Sequence, residues 1–394
     1  MALLKITDRV TLVGADDPGL HYFDCLMPTP YGTTYNSYLV DGDEKSALID
    51  PVEGSKIEQL FEHLDALEVK HLEYIVCLHA EQDHSGGAPM LLQRYPKAVI
   101  VATQKVADFL ESHLHLPKDK MKIMNAGDTL ELGGVSLECI PVPFAHWPDN
   151  TMYWLADEYL LFSSDLYGSH YVPDVMEKPD EKIQVEQSRT YFAEIMMPFR
   201  THVARYVEKT RELDPAMICS AHGPVWFLPD TILSEYERMC SDKTTRDVAI
   251  AYVSMHGSTD KMVKHLAAAL VDRGVRVELF DLSVTDIGRL AMALLDAATI
   301  VVGTCTVLVG PHPLAAYATL LANALKPKAR FLSIVGSYGW GCKAVETLAG
   351  MIPNLKVEVL DPVICKGAPR ETDLKALDDL AAAIAQRHEQ EQLA

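Results

Sequence analysis

At 394 residues the chain has room for two domains at roughly 150 residues each. Hydrophobic residues make up 48% and charged residues 23%, which excludes a disordered polymer. A formal net charge of −20 opposes phosphate backbones and anionic bilayers, so neither nucleic acid nor membrane is an expected partner.

The amino-terminal segment Met1 to Val10 has no basic stretch leading into a long apolar run, which predicts no signal peptide. No segment reaches the roughly 18 to 20 apolar residues of a membrane span. The eight cysteines contain no C-x-x-C pair. That argues against a cysteine-ligated zinc or rubredoxin-type iron within this chain, and scattered thiols fit a reducing cytoplasm.

In chain order, strands are expected at 37–40 and 47–49, a helix at 57–67, a strand at 74–78, and a helix at 87–95. A strand at 99–102, a helix at 105–113 and a strand at 135–141 follow. Strands at 151–155 and 159–162 are separated by Asp157 and Glu158, a plausible hairpin turn. Hairpins interleaved with helices point to an α+β, layered αββα domain over residues 1–246. The break falls after a charged helical stretch ending near residue 246, where an apolar strand begins. Beyond it, strands at 248–253, 275–279, 299–302, 331–335 and 357–360 alternate with helices at 259–273, 286–295, 314–325, 343–352 and 373–387. This α/β pattern predicts a doubly wound, five-stranded parallel sheet over residues 247–394, similar to flavodoxin.

The most informative segment is His79-Ala80-Glu81-Gln82-Asp83-His84, between a strand and Gly86-Gly87. Read as extended, it points His79, Glu81 and Asp83 one way and His84 another, so one loop can serve two neighbouring metals. His146, Asp165 and His222 likewise follow apolar segments, and strand-end loops are where sites are built. A lone histidine among the chain's 15 is most simply solvated or a satisfied core residue. Four ligand-type residues in six positions are not so simply explained.

The string resembles H-x-H-x-D-H of the metallo-β-lactamase superfamily, with Glu81 replacing the middle histidine. Imidazole-rich sites suit zinc and hydrolysis, whereas added carboxylates favour iron. Glutamate there is the pattern of the flavodiiron family. The resemblance implies that His79, Glu81 and His146 bind one iron, that Asp83, His84 and His222 bind a second, and that Asp165 bridges them. It also assigns Tyr191 to a segment that approaches the metals. Relatives often carry F-H-G-Y ahead of G-T-T-Y-N. Here Phe23-Asp24-Cys25-Leu26-Met27 precedes Gly32-Thr33-Thr34-Tyr35-Asn36, so Cys25 falls about where that histidine is expected.

Ser254-Met255-His256-Gly257-Ser258-Thr259 joins a strand to a helix, where hydroxyls, a glycine and free amides can cradle phosphate. It resembles the flavodoxin phosphate loop S/T-x-T-G-x-T, with His256 at the middle threonine; taken alone, such a turn is often only a helix cap. Thr304, Cys305, Thr306 and Val307 follow the third strand. Ser337, Tyr338, Gly339, Trp340 and Gly341 follow the fourth. Loops after strands one, three and four meet at the switch point of such a sheet. The resemblance makes this an FMN site, with Tyr338 and Trp340 near the ring.

No G-x-G-x-x-G segment is present, so NADH is not the expected donor. The resemblance implies a soluble, cytoplasmic oxidoreductase of the minimal two-domain class, with no appended rubredoxin or flavin-reductase domain. It would reduce dioxygen to water, or nitric oxide to nitrous oxide, with electrons from rubredoxin or a reduced deazaflavin. A head-to-tail homodimer, or a dimer of dimers, is implied with it. The rival readings are a zinc-dependent lactamase-fold hydrolase with a flavodoxin-like accessory domain, and a pure electron-transfer protein with a structural metal.

Overall fold

The computed structural model describes residues 3–174 and 179–393, so the first two residues of the amino-terminal segment lie outside it. Two compact units emerge. The first comprises Met1–Phe192 and Phe199–Cys240, and the second Ala193–Pro198 and Ser241–Ala394. Among the described residues, no helix is long and apolar enough to cross a membrane.

The first unit is built on two sheets. One runs, in spatial order, Leu4–Lys5, Val10–Leu12, Tyr38–Asp41, Ser46–Ile49, Tyr74–Val76, Val99–Ala102 and Met121–Ile123. It is antiparallel as far as Ser46–Ile49 and parallel beyond. The other runs Thr129–Glu131, Ser136–Pro141, Thr151–Leu155, Leu160–Ser164 and Met217–Ser220, with only the last pair parallel. Val40, Ile49, Val76 and Val101 of the first sheet share one core with Leu137, Tyr153, Phe162 and Cys219 of the second. Thr151–Leu155 and Leu160–Ser164 are buried along their whole length, as strands covered on both faces must be.

The flanking helices follow from spacing. Ile57–Ala66 buries Ile57, Leu60 and Leu64, an i, i+3, i+7 stripe. Gln104–Leu114 starts on Thr103, whose hydroxyl accepts from the Val106 amide, and ends on His115 in the left-handed region. Arg200–Leu213 likewise buries Val203, Val207 and Thr210, an i, i+4, i+7 stripe. Glu181–Tyr191 has no such apolar period and buries Gln184, Gln187, Ser188 and Tyr191.

The strand expected at 74–78 leaves its ladder after Val76, for a local reason. The Asp50 side chain accepts the Leu78 amide at 2.8 Å, replacing a strand partner. The next residues are not extended as expected. Gln82–Ser85 forms a helical turn, tightened by the Ser85 hydroxyl, which donates to the carbonyls of Ala80 and Glu81 at 2.9 Å each.

In the second unit all main strands are parallel, in the order Arg276–Asp281, Thr245–Tyr252, Ala297–Val307, Phe331–Tyr338 and a divided fifth strand. Glu358–Val359 and Val363–Lys366 both pair with Phe331–Tyr338. This 2-1-3-4-5 order places the switch point between the first and third strands.

Phe162 is fully buried between the sheets of the first unit, 5.4 Å from the Tyr38 ring. Phe162→Ala is expected to cost about 3–5 kcal/mol. Calorimetry on the full chain should show the first unit's transition lowered and the second unit's unmoved.

Candidate functional site

Seven donor side chains converge where the strands of the first unit end. His79 follows the strand Tyr74–Val76, and Glu81, Asp83 and His84 sit on the turn after it. His146 follows Ser136–Pro141, Asp165 follows Leu160–Ser164, and His222 follows Met217–Ser220. The strand register shifts between Phe162 and Ser164, and Ser164 has φ 54°. Such an irregularity re-aims the next side chain, here Asp165, into the cluster.

The donors fall into two trios, His79 with Glu81 and His146, and Asp83 with His84 and His222. Within each trio the ligand atoms lie within 4.8 Å of one another. Asp165 stands between them. Its Oδ2 is 3.7 Å from Nε2 of His79 and of His146, while its Oδ1 is 3.0 Å from Nε2 of His84 and 3.7 Å from Nε2 of His222. The seven residues are those the sequence singled out, and the ligand atoms of His79, His84 and Asp165 form a third close group that spans both trios.

Three of the imidazoles are oriented from behind. His79 Nδ1 lies 3.0 Å from Asp149 Oδ2, His84 Nδ1 lies 3.3 Å from Asp50 Oδ2, and His222 Nδ1 lies 2.6 Å from the Thr34 carbonyl oxygen. Each acceptor puts the proton on Nδ1 and leaves Nε2 facing the centre, the tautomer a metal ligand needs. Asp149 also accepts the Ala80 amide at 2.9 Å, and Asp50 the Leu78 amide, so both carboxylates are themselves fixed. Asn150 donates to Asp165 Oδ2 at 2.9 Å and the Tyr191 hydroxyl to Asp165 Oδ1 at 2.8 Å.

The electrostatics describe a pocket built for cations. Burial opposes the charge on Asp165, yet His84, His79 and His146 hold its carboxyl well below the usual range. Burial likewise opposes Glu81, but His146 and His79 bring it down to about 2. Burial alone would lower the His79 imidazole; Asp149, Glu81 and Asp165 push it up to about 10. The carboxylates thus favour the charged forms of His79 and His84, a role that bound metal ions would take over. Asp83 Oδ1 is buried and lacks a hydrogen-bond partner, as an atom reserved for a metal would be. The residues therefore fit a two-metal group. Glu81 and Asp83 also line a cleft of about 490 Å³, shared with Tyr22, Phe23, Asp24 and Trp147.

Asp50, Asp149, Asn150 and Thr34 were not anticipated, because each acts through another residue and lies far from its partner in sequence. Cys25 stands apart from the site: it is exposed, at the tip between the short strands Tyr22–Phe23 and Met27–Pro28. That hairpin reaches the site through Phe23, which stacks on His170 at 4.4 Å and packs edge-on to His222 at 5.4 Å.

In the second unit, Ser254, Met255, His256 and Ser258, together with Cys305, Thr306, Ser337, Tyr338 and Gly339, line a cleft of about 170 Å³. Gly367, after the fifth strand, joins them unforeseen. Gly257 takes φ 82°, a conformation that favours glycine, and it starts the helix Ser258–Val271 without a side-chain cap. The amides of that first turn are left for an anion, which fits a flavin phosphate. Thr259 and Thr304 face inward instead. Thr259 bonds the Ser337 hydroxyl at 3.0 Å, and Thr304 donates to the Cys305 carbonyl at 2.8 Å. Val307 pairs with Gly310, Gly341 approaches Val309, and Trp340 is 78% exposed; none of the three lines the cleft.

Two histidine–carboxylate trios on a shared aspartate, followed by a flavodoxin-type sheet, define a two-domain flavin- and metal-dependent class. The family described as ODP family beta lactamase matches residues 33–223, and the flavodoxin family matches residues 250–378. The chain is 32% identical to the nitric oxide reductase of Moorella thermoacetica over 397 residues, covering 98% of each. It is 30% identical to the rubredoxin-oxygen oxidoreductase of Megalodesulfovibrio gigas, again covering 98% of each. The solved structure of rubredoxin oxygen:oxidoreductase from Desulfovibrio gigas superposes with a TM-score of 0.95 at 28% identity, with both chains fully covered. The chain belongs to the flavodiiron family.

Asp149→Ala removes the acceptor behind His79 without touching a donor of either trio. Metal affinity at the His79 trio is expected to fall about 10- to 100-fold. Iron titration against a competing chelator measures it, and unchanged affinity would reduce Asp149 to a structural role.

Proposed function

We propose that this chain reduces dioxygen to water, nitric oxide to nitrous oxide, or both, at a non-haem di-iron site, with electrons entering through FMN. The observation that carries the reading is the pair of trios joined by Asp165, with three of the four imidazoles oriented from behind. His79, Glu81 and His146 would hold one iron and Asp83, His84 and His222 the other, with Asp165 placed between them. The irons would supply electrons and a template for the gas, and FMN would store the incoming pair. Glu81, in place of a third histidine on that loop, favours iron over zinc and redox chemistry over hydrolysis.

The chain's own residues perform the positioning. Burial and the neighbouring Asp165 push the Tyr191 phenol well above its usual range, so it stays protonated and donates to Asp165. The cleft beside Glu81 and Asp83 admits a diatomic gas. In the second unit, the uncapped turn at Gly257 and the hydroxyls of Ser254, Ser258 and Thr306 would take the FMN phosphate, and Tyr338 would line the ring. Thr259 and Thr304 support those loops from behind.

Rubredoxin is the proposed donor, since a relative of full length is named for it, and a reduced deazaflavin is the second choice. A cytoplasmic location is consistent with eight unbridged cysteines. We assign a head-to-tail homodimer on the family resemblance; an active monomer in analytical ultracentrifugation would overturn that assignment.

Anaerobically purified protein should contain about two irons and one FMN per chain and consume dioxygen or nitric oxide when reduced. Full zinc occupancy after growth in iron-rich medium would make hydrolysis the leading function. Tyr191→Phe should retain its iron and lose about 10- to 100-fold in gas turnover, read by electrode against metal content.

A further inference from the structure

The flavin cleft offers little positive charge. A phosphate monoester carries about −1.5 to −2 charges at neutral pH. The residues that line the cleft include three serines, a threonine, a cysteine, a tyrosine, a methionine and two glycines, but no lysine or arginine. The single side chain there able to carry positive charge is His256, at the loop position where the flavodoxin pattern has threonine. Everything else that meets the anion is neutral: the amides of the first turn of Ser258–Val271 and the hydroxyls around them. The formal charge of −20 on the whole chain adds no compensating cation.

The surroundings leave the imidazole available. The cleft's other titratable groups, the Cys305 thiol and the Tyr338 phenol, carry no positive charge in any protonation state. The nearest acid on the same helix, Asp260, is engaged by the Tyr252 hydroxyl at 3.2 Å and by Lys264 at 2.9 Å. Gly257 beside the histidine has nothing within 4 Å of where a Cβ would stand, so the loop tip has room for the ring to turn toward a phosphate.

We propose that His256 is the residue by which this chain selects a phosphorylated flavin over riboflavin, and that it makes FMN affinity depend on pH. The inference rests on the FMN reading above and extends it. A histidinium beside a phosphate forms a charge-assisted hydrogen bond that neutral imidazole cannot reproduce. The sign follows from linkage. Pairing with phosphate raises the proton affinity of the bound imidazole. The extra binding is therefore complete below the free histidine's pKa and lost as pH rises through the bound one.

The test uses the full, iron-loaded chain stripped of flavin, with FMN and riboflavin titrated by fluorescence quenching from pH 6.5 to 9. For FMN, the dissociation constant should rise about tenfold across that range, the span expected of one charge-assisted hydrogen bond. Riboflavin should bind more weakly and with no such rise. His256→Thr should bind FMN with a flat profile at the high-pH value, and His256→Arg, which does not titrate there, with a flat profile near the low-pH value. A flat wild-type profile, or the same rise in His256→Thr, would overturn the role of His256 while leaving the FMN site standing. Equal affinity for FMN and riboflavin at every pH would overturn the phosphate assignment itself, and this inference with it.

Discussion

The first unit is organised around one buried carboxylate. Asp165 directs one oxygen toward His79 and His146 and the other toward His84 and His222. A side chain in that position cannot rotate without disturbing both trios. Asn150 and Tyr191 accordingly hold one oxygen each. The residue before it, Ser164, adopts a left-handed conformation uncommon outside glycine, at a register shift in an otherwise regular strand. The irregularity sits where the ligand must turn, which is where backbone strain is expected to collect.

Much of the surrounding structure exists to keep that group ionised and aimed. A buried carboxylate without cations would take up a proton, because the cost of burying charge exceeds a pKa shift of a few units. Here burial raises Asp50, whereas Asp165 is held down by its imidazole neighbours. Asp50 is partnered mainly by one histidine and one amide, and Asp165 by four imidazoles. Asp50 and Asp149 each join a ligand histidine to the backbone of the strand end that carries the donor loop. The same hydrogen bonds thus end the strand, start the loop and set the histidine tautomers. Stability and ligand geometry cannot be changed separately there.

The readable part of this design was the part written locally. The six-residue string carrying His79, Glu81, Asp83 and His84 announces a metal site because ligand types crowd together. The alternating pattern after residue 247 announces a parallel sheet because short apolar strands alternate with helices, and its three central strands are buried along most of their length. What stayed hidden was non-local or polar. Asp149 meets His79 across 70 positions, and Thr34 meets His222 across 188. The helix Glu181–Tyr191 turns glutamines and a serine inward, so no apolar period marks it, although it delivers Tyr191 to Asp165. The donor loop was read as extended and proved to contain a helical turn. Neighbours on such a turn diverge by about a third of a revolution per residue. Asp83 and His84 can therefore join one trio while Glu81, just before the turn, joins the other.

The two clefts solve opposite electrostatic problems with one device, the loop at the end of a strand. In the first unit, carboxylates and imidazoles are concentrated until only cations can balance them. In the second, the proposed flavin phosphate would be held by a chain whose net charge repels it. Backbone amides meet that need because they present partial positive charge without a side chain to bury, and an uncapped first helical turn offers several at once. The composition of the loop follows. Gly257 in the left-handed region lets the chain turn tightly into Ser258–Val271, and serines on either side add donors of minimal bulk. At Gly257 the constraint is conformation and not space: a Cβ there would meet nothing within 4 Å, but any other residue would be strained at φ 82°, and the turn that frees the amides would weaken with it.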